Sequence, residues 1–217
     1  MTTIQKDPRS DKIVEILSVI TSAAPALGGP VSAILNGYVT NRKFQRMAAA
    51  VQQLAEEISS VERSVVESYV ATEDFEDLVD DTLRRIAVER QEAKRVLLAH
   101  FLAINIRESA SNYDELDRIL RVLDSLQPAH VLLMRALDQA PNYGELGFSG
   151  SPIHTLKSRL PQFDVDLIRD LVQQLNDLRL TDLRSVSAMM TPRGAQELQS
   201  TFTPFGRRLM KYIEDKA

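Results

Sequence analysis

Between Asn41 and Tyr69 apolar residues return every three or four positions: Phe44, Met47, Val51, Leu54, Ile58, Val61 and Val65. That spacing places them on one stripe of a helix about 43 Å long. Ala48, Ala50 and Ala55 flank the stripe, with Lys43, Glu57 and Glu62 only toward its ends. Small flanking residues widen an apolar stripe, which predicts the inner helix of an antiparallel bundle in preference to a free two-stranded coil. The same seven residues are also the candidate seam for pairing with a second chain.

The periodicity continues. Thr72 is placed to cap a helix to about Arg90, with Phe75, Leu78, Val79, Leu83 and Ile86 inward. Its acidic first half carries Glu73, Asp74, Glu76, Asp77, Asp80 and Asp81, with Asp80/Arg84 and Asp81/Arg85 four residues apart. It lacks the ligand order and glycine of a calcium loop and reads as a solvated, ion-paired face. Gln91 to Ile106 is uncharged from Val96 through Ile106, so that helix is apolar all round and belongs at the centre of the bundle. Asn112 to Glu115 has capping-box spacing and opens a helix to about Leu126.

Beyond it the pattern predicts a helix from Pro128, a loop PNYGELGFSGS, a short helix Pro152 to Leu160 and a third helix Phe163 to Leu178. Leu183 to Met190 and Leu198 to Phe202 are expected to pair as a small β-hairpin around Thr191-Pro192-Arg193-Gly194. Thr203 and Pro204 then open a last helix with Phe205, Leu209, Tyr212 and Ile213 inward. The fold expectation is all-α, with a helical bundle over residues 11–125 and a second domain over 126–217.

At the other end, Ile16 to Asn41 contains no charged residue. Asp7, Asp11 and Glu15 acidify the flank that a signal peptide keeps basic. Pro25, Gly28, Gly29 and Pro30 interrupt the middle of any membrane-spanning helix. The leading reading is two short helices, Asp11 to Ala23 and Pro30 to Tyr38, packed on the bundle. Next comes a segment that leaves the bundle for a membrane or partner, with Leu27, Val31, Ile34 and Leu35 as its contacts, and last a constitutive span.

Charge and chemistry narrow the function classes. With 26 Lys and Arg against 30 Asp and Glu, the net charge is −4 over 217 residues, which excludes a surface basic all over. Before residue 110 there are 13 basic and 16 acidic residues, and 13 and 14 after it, so neither half is a basic module. The chain has no cysteine, excluding disulfides, thiolate metal sites and a thiol nucleophile, and fitting a reducing cytoplasm. His100 lies in the apolar helix without a second ligand at helical spacing, and His130 and His154 lie near helix starts. Gly144, Gly147 and Gly150 follow no strand and precede no Gly-Lys-Ser. No catalytic, cofactor-binding or metal-binding residue and no small-molecule substrate is expected.

The order of elements after Leu126, ending in NDLRL, the hairpin and TFTPFGRRLMKYI, resembles a winged helix-turn-helix domain, which implies DNA binding through its third helix. That helix carries Asp164, Asp166, Asp170 and Asp177 against Arg169 and Arg179, a poor match to phosphate. Lys157, Arg159, Arg184 and Arg193, with Arg207 and Arg208, form the candidate nucleic-acid patch of this alternative. Protein contacts are the favoured reading. Residues 10 to 140 together resemble bacterial proteins of the abortive-infection alpha family. The likeness lies in the uncharged Gly/Pro-broken segment, NRKFQR, RVLLAHFLAI and DSLQPAHVLLMRAL. It implies a role in phage defence and brings no catalytic residues.

Overall fold

The computed structural model describes residues 42–59, 72–107, 112–140, 150–189 and 191–213. Over these residues the protein is mostly helical, and it divides into two compact units, Met1–Asp124 and Ser125–Ala217.

In the first unit, α1 (Arg42–Ser59) packs on α2 (Glu73–Val88) and on α3 (Glu92–Arg107), and α2 also packs on α3. On α1, Leu54 of the seam and the flanking Ala50 are buried, and Val51 of the seam is half-buried. The side chains of Phe44, Met47 and Ile58, and the whole of Val61 and Val65, lie outside the described residues. Thr72 caps α2, its hydroxyl accepting the Phe75 N–H at 3.3 Å. Phe75, Leu78, Val79, Leu83 and Ile86 are buried, as their period predicts.

The far end of α2 is closed by cations. Arg46 of α1 donates to the carbonyls of Ala87 and Val88 at 3.3 and 3.4 Å, and Arg95 of α3 donates to that of Arg90 at 2.9 Å. Guanidinium groups satisfy carbonyls that have no helical partner and oppose the negative end of the helix dipole. Along α3, Leu97, Leu98, Ala99, Phe101, Leu102, Ala103 and Ile104 are buried, while His100 is half-buried. Asn105 is buried too, its amide donating to the Phe101 carbonyl at 2.8 Å. α4 (Tyr113–Ser125) starts where Asn112 accepts the Asp114 N–H at 3.2 Å and buries Leu116, Ile119, Leu120 and Leu123.

The second unit begins with α5 (Pro128–Asp138), which packs against α6 (Pro152–Arg159) and α7 (Val165–Asp177). Asp164 caps α7 by accepting the Leu167 N–H at 2.7 Å. α7 ends with Arg179 at φ 57°, in the left-handed region. The Leu180 N–H reaches the Leu175 carbonyl at 2.9 Å and the Arg179 N–H reaches that of Asn176 at 2.8 Å, a Schellman closure that glycine usually makes. An L side chain there costs roughly 1 kcal/mol. Arg179→Gly is expected to stabilise this unit by about 0.5–1 kcal/mol in urea denaturation, and a loss of stability would contradict the account.

The expected β-hairpin does not form among the described residues. What remains is an isolated antiparallel bridge, Thr181 to Phe202. Two bonds flank it, Thr203 N–H to Leu180 O at 3.0 Å and Asp182 N–H to Thr201 O at 2.9 Å. The reason is local. Leu183 and Val186 are buried three positions apart with Arg184 and Ser185 exposed between them, which is not the alternation of a strand. Thr191 accepts the Gly194 N–H at 3.1 Å, and with Pro192 at the first position this starts a short helix, α8 (Pro192–Gln196). Leu198–Thr201, expected as the second strand, is a 3₁₀ turn. There Ser200 and Thr201 donate their hydroxyls to the Glu197 and Leu198 carbonyls at 2.8 and 2.6 Å. Such local side-chain bonds compete with a strand ladder.

The last helix, α9 (Pro204–Ile213), is joined to this bridge. Thr203 accepts the Gly206 N–H at 2.9 Å and donates its hydroxyl to the Arg179 carbonyl at 2.6 Å. Gly206 is buried against the backbone of Leu180, where a Cβ would lie 1.9 Å from the carbonyl oxygen. The Thr-x-x-Gly run therefore seals the C-terminal end of α7 to the start of α9.

Candidate interaction surface

Of the basic side chains proposed from sequence as a nucleic-acid patch, Lys157, Arg159 and Arg193 each have a partner within the unit. Lys157 donates to the carbonyls of Pro161 and Phe163, in the turn between α6 and α7. Arg159 donates to the carbonyls of Ala136 and Ala140 at 2.7 and 3.4 Å, closing the C-terminal end of α5. Burial lowers the Arg159 pKa from its ordinary value, as expected for a guanidinium drawn partly out of water toward neutral carbonyls. Arg193 lies on α8, which packs on α6, but it is ion-paired with Glu197 at 2.7 Å. Arg184 is exposed. Arg135 follows the capping pattern, its guanidinium donating twice to the Ile213 carbonyl at 3.0 and 2.9 Å.

The outward face of α7 has the opposite character. Val165, Asp166, Leu167, Arg169, Asp170, Gln173, Gln174 and Asp177 are all exposed, as is the cap Asp164. Arg169 pairs with Asp166 at 2.9 Å and reaches the Ser187 hydroxyl at 3.3 Å, so its charge is already matched. Gln173 donates to Asp177 at 2.8 Å. Four carboxylates against one guanidinium leave this helix repelling phosphate.

Gln174 marks where this face meets α5. The Gln127 N–H donates to His130 Nδ1 at 3.0 Å, so His130 carries its proton on Nε2 and donates it to the Gln174 carbonyl oxygen at 2.7 Å. His130 is buried, and it completes a capping box with Gln127 at the start of α5. The sequence reading missed this role. The Gln-x-x-His spacing matches a capping box, but Gln stands where Ser or Thr is usual and His where Glu or Gln is usual.

α9 offers a contrasting face. Arg207, Arg208 and Lys211 are exposed on it. Arg207 pairs with Asp138 at 2.5 Å and lies 4.8 Å over the Phe202 ring.

In the first unit, Asp81, Arg85, Asp124, Lys94 and Glu89 are linked in one network. Arg85 joins Asp81 at 3.1 Å and Asp124 at 2.7 Å, while Lys94 joins Glu89 at 3.1 Å and donates to the Asp124 carbonyl. Burial alone would raise the Glu89 pKa, but the Gln91 N–H and Lys94 outweigh it and hold the carboxyl below its ordinary value. Burial alone would lower the Arg85 pKa, and bonds to Asp81 and Asp124 raise it instead. Asp80/Arg84 pairs at 2.7 Å, so the acidic half of α2 is in part an ion-paired face. Among the described residues no group of three His, Asp or Glu is placed to hold a metal ion.

Leu27, Val31, Ile34 and Leu35, the membrane or partner contacts proposed from sequence, lie outside the described residues. Among those described, no helix is long and apolar enough to cross a membrane. Comparison with protein-family models, with curated proteins and with solved structures finds no match to this chain.

Proposed function

We propose that this chain is a non-catalytic interaction protein. In this reading the C-terminal unit is a helical module with the helix order of a winged helix but, among the described residues, not its β-hairpin, whose third helix, α7, has been turned from phosphate toward protein, and the N-terminal unit is the bundle that carries it. The observation that carries the proposal is the charge of the outward face of α7, where Asp164, Asp166, Asp170 and Asp177 surround the paired Arg169. A helix that reads DNA needs net positive charge on that side. Against the DNA alternative, Lys157 and Arg159 donate to backbone carbonyls of their own unit.

The setting we propose is bacterial phage defence, and its support is the resemblance of residues 10–140 to the abortive-infection alpha family. The form that acts on a membrane rests on residues 16–41, outside the described part of the chain.

The test pairs two measurements on the full chain. Fluorescence anisotropy with mixed-sequence duplex DNA at about 150 mM salt is expected to show no binding tighter than the ~1–100 µM of non-specific contacts. Sub-micromolar, sequence-dependent binding would return the DNA alternative to first place. Plating of phage on cells that express the chain is expected to fall, and to recover when Asp166 and Asp170 are both replaced by Lys. Protection that survives this reversal removes the face of α7 from the function.

A further inference from the structure

The outward face of α7 lines up its carboxylates. Asp166, Asp170 and Asp177 follow one another at four and seven residues, which sets them on one stripe of the helix about 16 Å long. All three are exposed, and the Asp166 side chain is 88% accessible. Arg169 answers Asp166, and among the described residues no ion pair reaches Asp170. Val165 and Leu167, 36% and 38% accessible, flank the stripe on either side near its start. The bond from Arg169 to the Ser187 hydroxyl at 3.3 Å brings Met189, two residues on and 71% accessible, to the same end. From this face we infer that α7 docks a basic helix of a different protein. Lys or Arg of that helix lies along the acidic stripe, and its apolar side chains rest against Val165, Leu167 and Met189. The inference rests on the proposal that α7 is a protein-contact face, and it names the chemistry of the partner.

Charge complementarity selects this occupant. An acidic stripe repels the phosphates of nucleic acid and of membrane headgroups, and it repels acidic protein surfaces equally, which leaves a cationic protein segment. A second copy of this chain is a poor source of one. Its Lys157, Arg159, Arg193 and Arg207 are engaged by acceptors of their own unit, and Arg208 and Lys211 also have partners. The shape of the stripe points to a helix, because Lys or Arg at the same four-and-seven spacing also fall on one line of a helix. The pair of Asp166 with Arg169 is exposed, so Asp166 exchanges it for a partner's cation at little cost. Exposed ion pairs hold weakly by themselves, so the apolar flanks hold the complex and the charges select it.

Fluorescence anisotropy of the full chain with a labelled helical peptide of about 18 residues tests this. The peptide carries Lys along one stripe, Leu on both flanks and Ala elsewhere. It is expected to bind at about 1–10 µM in about 50 mM salt and roughly tenfold more weakly near 500 mM. Exchanging its Lys for Glu, or its Leu for Ser, is expected to weaken binding roughly tenfold or more. Two variants of the chain locate the contact. Asp166→Lys/Asp170→Lys is expected to lose roughly tenfold or more. Asp74→Lys/Asp77→Lys changes the net charge equally at exposed positions of the first unit and is expected to bind as wild type does. Circular dichroism checks that both are folded.

No binding of the Lys/Leu peptide at about 100 µM overturns the inference, as do equal losses in the two variants, which mean attraction to net charge alone. Sedimentation that shows the wild-type chain pairing with itself, and the Asp166→Lys/Asp170→Lys variant monomeric, overturns the choice of a different protein as the occupant. If α7 reversal abolishes phage protection while the peptide does not bind, the basic helix fails and the wider protein-contact reading stands. If the peptide binds as described but protection ignores the reversal, the docking stands and the defence role of this face fails.

Discussion

Replacing Gly206 by Ala is expected to destabilise the C-terminal unit by about 3 kcal/mol, the upper part of the usual range for overpacking. The added Cβ would lie 1.9 Å from the Leu180 carbonyl oxygen and 2.8 Å from its carbon, both backbone atoms. Leu180 cannot step aside at low cost. Its N–H is bonded to the Leu175 carbonyl at 2.9 Å, and its own carbonyl accepts the Thr203 N–H at 3.0 Å. Retreat would open the Schellman closure of α7, the bridge beside it and the cap of α9 together. Set against a total stability of about 5–15 kcal/mol, the loss is large. Urea denaturation measures it, and hydrogen exchange at the Leu180 and Thr203 amides locates it, both expected to exchange faster. A variant within about 1 kcal/mol of wild type would mean that α9 shifts freely and that the close approach is not structural.

The second large effect is expected in the first unit. Phe101 is fully buried on α3, whose neighbours Leu97, Leu98, Leu102 and Ile104 are also buried. Phe101→Ala removes the ring and leaves a cavity that these neighbours fill only in part, at a cost of about 3–5 kcal/mol. Val96 lies on the same helix at 42% exposure, and Val96→Ala is expected to change stability by no more than about 0.5 kcal/mol. The contrast is the informative measurement, because α3 is so apolar that its sequence alone does not tell the two positions apart in importance. Equal losses from the two changes would mean that α3 is not packed as described.

Much of the fold was legible because its signals are local. Thr72, Asn112 and Thr203 each satisfy an N–H two or three residues on, and that reach is set by backbone geometry alone. The buried faces of α2, α4 and α7 follow the helical period for the same reason. The hairpin misled because short apolar runs near Gly and Pro suit a strand and a helical turn about equally. The choice fell to Thr191, Ser200 and Thr201, whose hydroxyls bond within one turn.

The candidate site was legible in part. That α7 would be acidic follows from its sequence once the helix is placed. Which cations remain for a partner does not. Lys157 and Arg159 look like a basic patch along the chain, but a flexible side chain takes whichever acceptor the packing presents, and here these are carbonyls at the ends of α5 and α6. The bond from His130 to Gln174 joins residues 44 apart, beyond any local pattern.

By itself, then, the sequence determined most of the helices, the caps at Thr72, Asn112 and Thr203, most of the inward faces and the acidity of α7, because each depends on residues within a turn or two of one another. The tertiary structure decided the close approach at Gly206, the pairing of His130 and the occupation of the basic side chains. Those depend on which backbone atoms distant segments bring within a few ångströms.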